Sequence, residues 1–159
     1  MGEASLGGEK MRAKDIMKKN VIFVSKEERV KTIVSILMQN HVSGVPVVDT
    51  NNRLIGIVTE KDLITKEKGL NISSYMEFVA NIVFIDGEIQ HHHRYRHLNY
   101  LTASDIMSSP VYAVHMDATV GEIASIMVNR RINRIPVINE KKQLVGIIGR
   151  SDLLPTLIK

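Results

Sequence analysis

Apolar residues recur along this chain at two helical stretches. Val30, Ile33, Val34, Leu37 and Met38 follow i, i+3, i+4, i+7, i+8 spacing, as do Val120, Ile123, Ala124, Met127 and Val128. That spacing lines one face of an amphipathic helix. Thr119 and Glu122 form a capping box at the start of the second helix. Before each helix stands an extended stretch rich in β-formers, Val21–Val24 or Val111–Val114. After each helix come two apolar runs. Val45–Val48 and Leu54–Val58 flank a polar stretch at 49–53, and Ile135–Ile138 and Leu144–Ile148 flank Asn139–Gln143. This predicts two strands joined by a hairpin-length turn. A further helix begins near residue 60 or 150, and Pro155, within the second or just past its end, limits its length.

The order β-α-β-β-α thus occurs twice, at a fixed offset of 90 residues. Ala13-Lys-Asp-Ile-Met17 returns as Ala103-Ser-Asp-Ile-Met107, and Gly44-Val-Pro-Val-Val48 as Arg134-Ile-Pro-Val-Ile138. Leu54-Ile-Gly-Ile-Val58 returns as Leu144-Val-Gly-Ile-Ile148, and Asp62-Leu63 as Asp152-Leu153. A duplicated unit buries its apolar faces against its copy, so an α+β fold of two repeats is expected, with paired binding sites. The predicted organisation is a flexible tail or cloning remnant at 1–10, repeat 1 at 11–68, an insertion at 69–100 and repeat 2 at 101–159. In the insertion, Ser73 or Ser74 caps a helix carrying Tyr75, Met76, Val79, Ile82 and Val83. Asp86-Gly87 signals a turn, and Glu88–Leu101 is polar and suits a second helix.

The 159 residues are 44% apolar and 24% charged, with no cysteine. Disulfides, thiolate metal sites and thiol nucleophiles are excluded, which fits a reducing, cytoplasmic setting. No secretory signal is expected from the first ten residues, and Leu6 breaks the myristoylation pattern. No apolar run approaches the roughly 20 residues that span a bilayer. The net charge of +4 favours anionic ligands but is too weak to argue nucleic acid.

The best candidate chemistry is Gly56-Ile-Val-Thr59-Glu-Lys-Asp62, a strand running into a helix start. Unpaired N–H groups there suit a phosphate. Thr59 adds a hydroxyl, Asp62 can accept from both hydroxyls of a ribose, and Gly56 permits close approach of a ligand or neighbour. Thr-x-x-Asp is equally a helix cap, and the two readings are compatible. His91, His92, His93 and His97 cluster in the insertion. His93 and His97 are the weak metal candidates, against an exposed helix partly charged near pH 6. Arg94-Tyr95-Arg96 has basic-plus-aromatic character, against an amphipathic or dimer-contact helix. No nucleophile–base pair, carboxylate pair or Walker loop is present, so no catalysis is expected.

The succession Asp-Ile-Met, Val-Ser-Gly-Val-Pro-Val-Val-Asp and Gly-Ile-Val-Thr-Glu-Lys-Asp-Leu resembles the cystathionine-β-synthase (CBS) domain, and two in tandem resemble a CBS pair, or Bateman module. The resemblance implies two repeats packed sheet to sheet about a pseudo-twofold axis, two clefts for adenosine-containing ligands, and a homodimer. It implies a regulatory module, not an enzyme, that senses AMP, ADP, ATP or S-adenosylmethionine as a regulatory ligand and signals to a regulated protein. At the first site, Thr59 and Asp62 match the family's Gly-x-x-Thr/Ser-x-x-Asp ribose–phosphate motif. Asn20, Ile22, Val42 and Ser43 match positions lining the adenine pocket, though core packing explains Ile22 and Val42 equally well. Arg134 matches a basic residue that reaches the phosphate, or is a solvated Arg beyond a helix end. At the second site stand Tyr112, Ile132 and Asp152, but Gly149 replaces Thr59 and Gly44 replaces Arg134. The expectation is one good nucleotide site, the first. The alternative is a nucleic-acid-binding or metal-responsive regulator acting through the insertion.

Overall fold

The computed structural model describes residues 11–64 and 101–158. The N-terminal tail, the insertion's helices and turn, the histidine cluster and Arg94-Tyr95-Arg96 lie outside the described residues. The elements are α1 (Ala13–Ile16), β1 (Val24–Ser25), α2 (Val30–Gln39), β2 (Gly44–Val48), β3 (Leu54–Thr59) and α3 (Glu60–Ile64). Then follow α4 (Ala103–Ile106), β4 (Val114–His115), α5 (Val120–Arg130), β5 (Arg134–Ile138), β6 (Leu144–Gly149) and α6 (Arg150–Leu153), with a 3₁₀ turn at Leu154–Leu157. The predicted β-α-β-β-α order is present in both repeats.

The compact units do not coincide with the repeats. Unit 1 is drawn from Met1–Val21 and Tyr112–Lys159, and unit 2 from Ile22–Val111. Each therefore combines the body of one repeat with the opening segment of the other. In unit 2 the Ala103 and Ser104 N–H groups donate to the Glu28 and Lys26 carbonyls at 2.8 and 3.0 Å, and Ile57 and Ser108 exchange backbone hydrogen bonds. In unit 1 the Ala13 and Lys14 N–H groups donate to Ala118 and Met116, and Lys18 and Ile147 exchange bonds in the same way.

The body of unit 2 is a sheet in the order β1-β2-β3. β1 lies parallel to β2 (Val24 opposite Val47), and β2 antiparallel to β3 (Gly44 opposite Thr59, Val45 opposite Val58). Parallel neighbours need a crossover, which α2 provides. Its Val30, Ile33, Val34 and Leu37 are buried with Val45, Val47, Val58 and Leu63. Ala103 and Ile106 of the opening segment complete this core. Unit 1 repeats the plan: β4-β5-β6, α5 as the crossover, and Ala13 of α1 buried with Ile123, Met127, Ile135, Val137 and Ile148.

Two expected elements differ. The first strand of each repeat shrinks to Val24–Ser25 and Val114–His115, because only two pairs of β1 with β2, and of β4 with β5, are formed. The β-formers Ile22, Phe23 and Tyr112 stay exposed instead. The Asp-Ile-Met segments, for which the sequence suggested no element, are single helical turns in which Asp15 and Asp105 accept the Arg12 and Thr102 N–H groups at 2.8 Å. The capping box of α5 is formed: the Thr119 N–H donates to Glu122 at 2.7 Å, and Glu122 N–H donates to the Thr119 hydroxyl at 3.3 Å.

Candidate functional site

Unit 2 holds five of the sequence-predicted residues: Ile22, Val42, Ser43, Thr59 and Asp62. β3 ends at Thr59 and α3 begins at Glu60, whose N–H donates to the Ser43 carbonyl at 2.9 Å. That bond fixes the chain just before β2 against the strand-to-helix junction. Val42 is half-buried against the core, whereas Ile22 is 37% exposed and offers apolar surface.

Asp62 is 8% exposed, and among the described residues it is the charged side chain that the fold buries. A buried carboxylate needs donors, and several are supplied. The Thr59 N–H and hydroxyl both donate to Oδ2, at 2.8 and 3.0 Å. The Ser108 hydroxyl donates to Oδ1 at 2.7 Å. Thr59 thus spends its hydroxyl proton on Asp62, while its hydroxyl oxygen accepts the Asp62 N–H at 3.4 Å, the bond that the capping reading requires. Ser108 was missed by sequence reasoning. Its signal was its place directly after Asp-Ile-Met, but nothing in the repeat register shows which body that segment joins.

Unit 1 contains the other five: Asn20, Arg134, Tyr112, Ile132 and Asp152. Asn20 is exposed. Arg134 stands opposite Gly149 in the β5–β6 register. The Gly149 N–H donates to Asp152 Oδ2 at 2.7 Å, reproducing half of the Thr59–Asp62 arrangement. The other Asp152 oxygen meets Lys18 Nζ at 3.3 Å, and Lys18 occupies the repeat position of Ser108. Tyr112 is half exposed, and the Arg130 guanidinium lies 4.6 Å from its ring centroid, a cation–π contact. Ile132 packs against the unit 1 core.

Gly56 has its close neighbour. A Cβ there would land on Met107 Sδ and come within 2.9 Å of its Cγ, and Gly146 meets Met17 in the same way. An open groove of about 740 Å³ at the start of α5 is lined by His115, Asp117, Glu122 and Ser125 among others, none of them a predicted site residue. Among the described residues, no three His, Asp or Glu side chains gather as a metal site, and no helix is long and apolar enough to cross a membrane.

Comparison with known proteins matches both repeats. The family model described as "CBS domain" matches residues 13–69 and 103–159. The protein MJ1426 of Methanocaldococcus jannaschii is 27% identical over 165 residues, covering 99% of this chain and 98% of its own. Inosine-5'-monophosphate dehydrogenase of the same organism is 24% identical over 143 residues, but these are only 23% of that enzyme. The structure of CBSX2 in complex with AMP superposes with a TM-score of 0.67 at 21% identity, covering 92% of this chain and 96% of that one.

Proposed function

The chain belongs to the CBS domain family as a tandem pair, and we propose that it is a regulatory module that binds an adenosine-containing ligand. AMP, ADP, ATP and S-adenosylmethionine are the candidates. The observation that carries this reading is the Thr59–Asp62 junction, a buried carboxylate held at a strand-to-helix turn. Asp62 would accept the ribose hydroxyls and Thr59 would turn its hydroxyl to phosphate. Ile22 and Val42 would flank the base, with backbone groups near Ser43 reading its edge. Asn20 and Arg134 fold with unit 1 and are left out of this assignment. The AMP complex of CBSX2 supports the ligand class.

The module carries no catalysis of its own in this reading and works in the cytoplasm as a homodimer. Ligand acts by favouring one of two conformations that a regulated protein reads. Thermal-shift measurement with a nucleotide panel tests it, because a ligand held only by the folded state stabilises that state, by about 2.7 kcal/mol at a hundredfold excess over Kd. Asp62→Ala should abolish the shift. No shift with any adenosine compound at millimolar concentration would discard the reading, and a shift that survives Asp62→Ala would discard the site.

A further inference from the structure

The chain has eight methionines and no cysteine, so thioethers are its only sulfur. Among the described methionines, only Met17 and Met107 occupy the same position in both repeats. Each follows a single helical turn, α1 or α4, in an exchanged opening segment. In unit 2 the Met107 thioether rests on Gly56 of β3, where an added Cβ would meet Sδ and come within 2.9 Å of Cγ. In unit 1 the Met17 thioether rests on Gly146 of β6 in the same way, with Cγ 2.8 Å from such a Cβ. Both side chains pack against the core of their host unit and remain partly exposed, so a small oxidant reaches them. Met127, by contrast, is 2% exposed.

Oxidation to the sulfoxide turns this apolar side chain polar, and a buried polar oxygen needs a donor. The backbone donors beside each sulfur are already engaged. The Met107 N–H donates to the Ala103 carbonyl at 2.8 Å, the Ser108 N–H to Ile57 at 2.9 Å and the Ile57 N–H to Ser108 at 3.2 Å. The Met17 N–H donates to Ala13 at 2.8 Å, the Lys18 N–H to Ile147 at 2.9 Å and the Ile147 N–H to Lys18 at 3.0 Å. Between sulfur and glycine there is no room for an added atom. The oxidised side chain must therefore leave its glycine, which disturbs the residue that follows it. In unit 2 that residue is Ser108, whose hydroxyl holds Asp62, and in unit 1 it is Lys18, which pairs with Asp152.

We infer that Met17 and Met107 are oxidation sites through which hydrogen peroxide loosens the opening segments from their host sheets. The O–O bond of the peroxide breaks. One oxygen joins Sδ as the sulfoxide and the other leaves as water, so the sulfur loses the two electrons that the peroxide gains. The same device stands in both units, each within its own sheet. It does not rest on adenosine recognition at Asp62. Where a ligand does bind there, oxidation of Met107 also removes the hold of Ser108 on that carboxylate.

The experiment treats the full chain with hydrogen peroxide, locates sulfoxides by peptide mass spectrometry and follows amide hydrogen exchange. Met17 and Met107 should oxidise faster than buried Met127. Exchange over residues 13–18 and 103–108 should quicken by roughly tenfold or more, while Ile33 and Ile123 of the crossover helices keep their protection. Leucine is close to methionine in size and apolar character and takes up no oxygen. Met107→Leu should therefore spare residues 103–108 alone, and Met17→Leu residues 13–18 alone. Methionine sulfoxide reductases for both sulfoxide epimers, with dithiothreitol as reductant, should restore protection to the wild type. The inference is overturned if Met127 oxidises as fast as these two, if the oxidised protein exchanges like the untreated one, or if the leucine variants respond as the wild type does. Should a variant fail to fold, the reductases decide, and protection that does not return with the thioethers refutes the inference. No nucleotide enters these measurements, so failure of the Asp62 site would leave their outcome unchanged.

Discussion

Ser108 donates its hydroxyl to Asp62 at 2.7 Å, across 46 positions of sequence. The bond ties the segment that opens the second repeat to the helix that ends the first. A ribose hydroxyl approaching Asp62 would compete with it. Ser108→Ala should therefore act in two directions. Stability should fall by about 2 kcal/mol, the worth of a hydrogen bond to a charged group. Affinity for adenosine ligands should rise, because one competing donor is gone. Chemical denaturation and calorimetry on the same protein measure both. An affinity that falls with the stability would mean that Ser108 supports the site and does not compete with it.

Met107 covers Gly56 so closely that no side chain fits between them. Gly56→Ala should destabilise by about 1–3 kcal/mol, the usual cost of overpacking. Met107→Ala should cost on its own by leaving a cavity, yet the double variant should recover part of the Gly56→Ala loss. A denaturation double-mutant cycle measures that coupling. Additive effects would show that the glycine is needed for some other reason. Gly146→Ala and Met17→Ala provide the matching cycle in unit 1.

Periodicity was enough to read α2, α5 and the paired strands, because each buries one face against a core built largely from its own repeat. It could not reveal the exchange of opening segments. Ala13 and Ala103 look alike, and the choice of which body buries them is made by tertiary contacts such as Ala103 to Glu28 and Ala13 to Ala118. Lys18 and Ser108 were overlooked for the same reason, since only the exchange brings them to Asp152 and Asp62. The two departures noted between the repeats, Thr59 to Gly149 and Gly44 to Arg134, turn out to be one. They are cross-strand partners in their sheets. A Cβ at Gly44 would come within 3.0 Å of the Thr59 methyl, so the branched residue and the glycine are chosen together.

Lys14 of the exchanged segment donates to Asp117 Oδ1 at 2.9 Å. That hydrogen bond holds the Asp117 carboxyl below its ordinary value of 3.8. A carboxylate with a lowered folded-state pKa stabilises above the unfolded value, and the contribution is lost as pH falls through the folded one. Docking of α1 should therefore weaken below about pH 3.8. Amide exchange at Ala13 and Lys14, corrected for intrinsic pH dependence, should lose protection there, and Asp117→Asn should remove the pH dependence. Unit 2 provides the control, because Ser104 replaces Lys14 at the equivalent position. Equal loss of protection at Ser104 would point to general acid unfolding.

The hairpin turns predict a gain in stability. Asn52 and Lys142 occupy the same repeat position with φ of 62° and 61°. Asparagine tolerates this left-handed conformation, but lysine brings its Cβ against the following carbonyl. The surrounding hydrogen bonds leave the backbone no alternative. Asp49 Oδ1 accepts from the Asn51 and Arg53 N–H groups at 2.8 and 2.9 Å, and Asn139 Oδ1 accepts from Lys141 and Gln143, each at 3.0 Å. The Lys142 N–H donates to the Asn139 carbonyl at 2.9 Å, a backbone bond that any residue there retains. Lys142→Gly should raise stability by about 0.5–1 kcal/mol, the strain released outweighing the greater entropy of the unfolded chain. Lys142→Asn should gain somewhat less, and Asn52→Lys should lose a similar amount. Lys141→Gly, at a neighbouring position without positive φ, should be destabilising. Denaturant midpoints of the four variants measure the signs, and a loss for Lys142→Gly would show that the lysine side chain contributes more than its backbone strain costs.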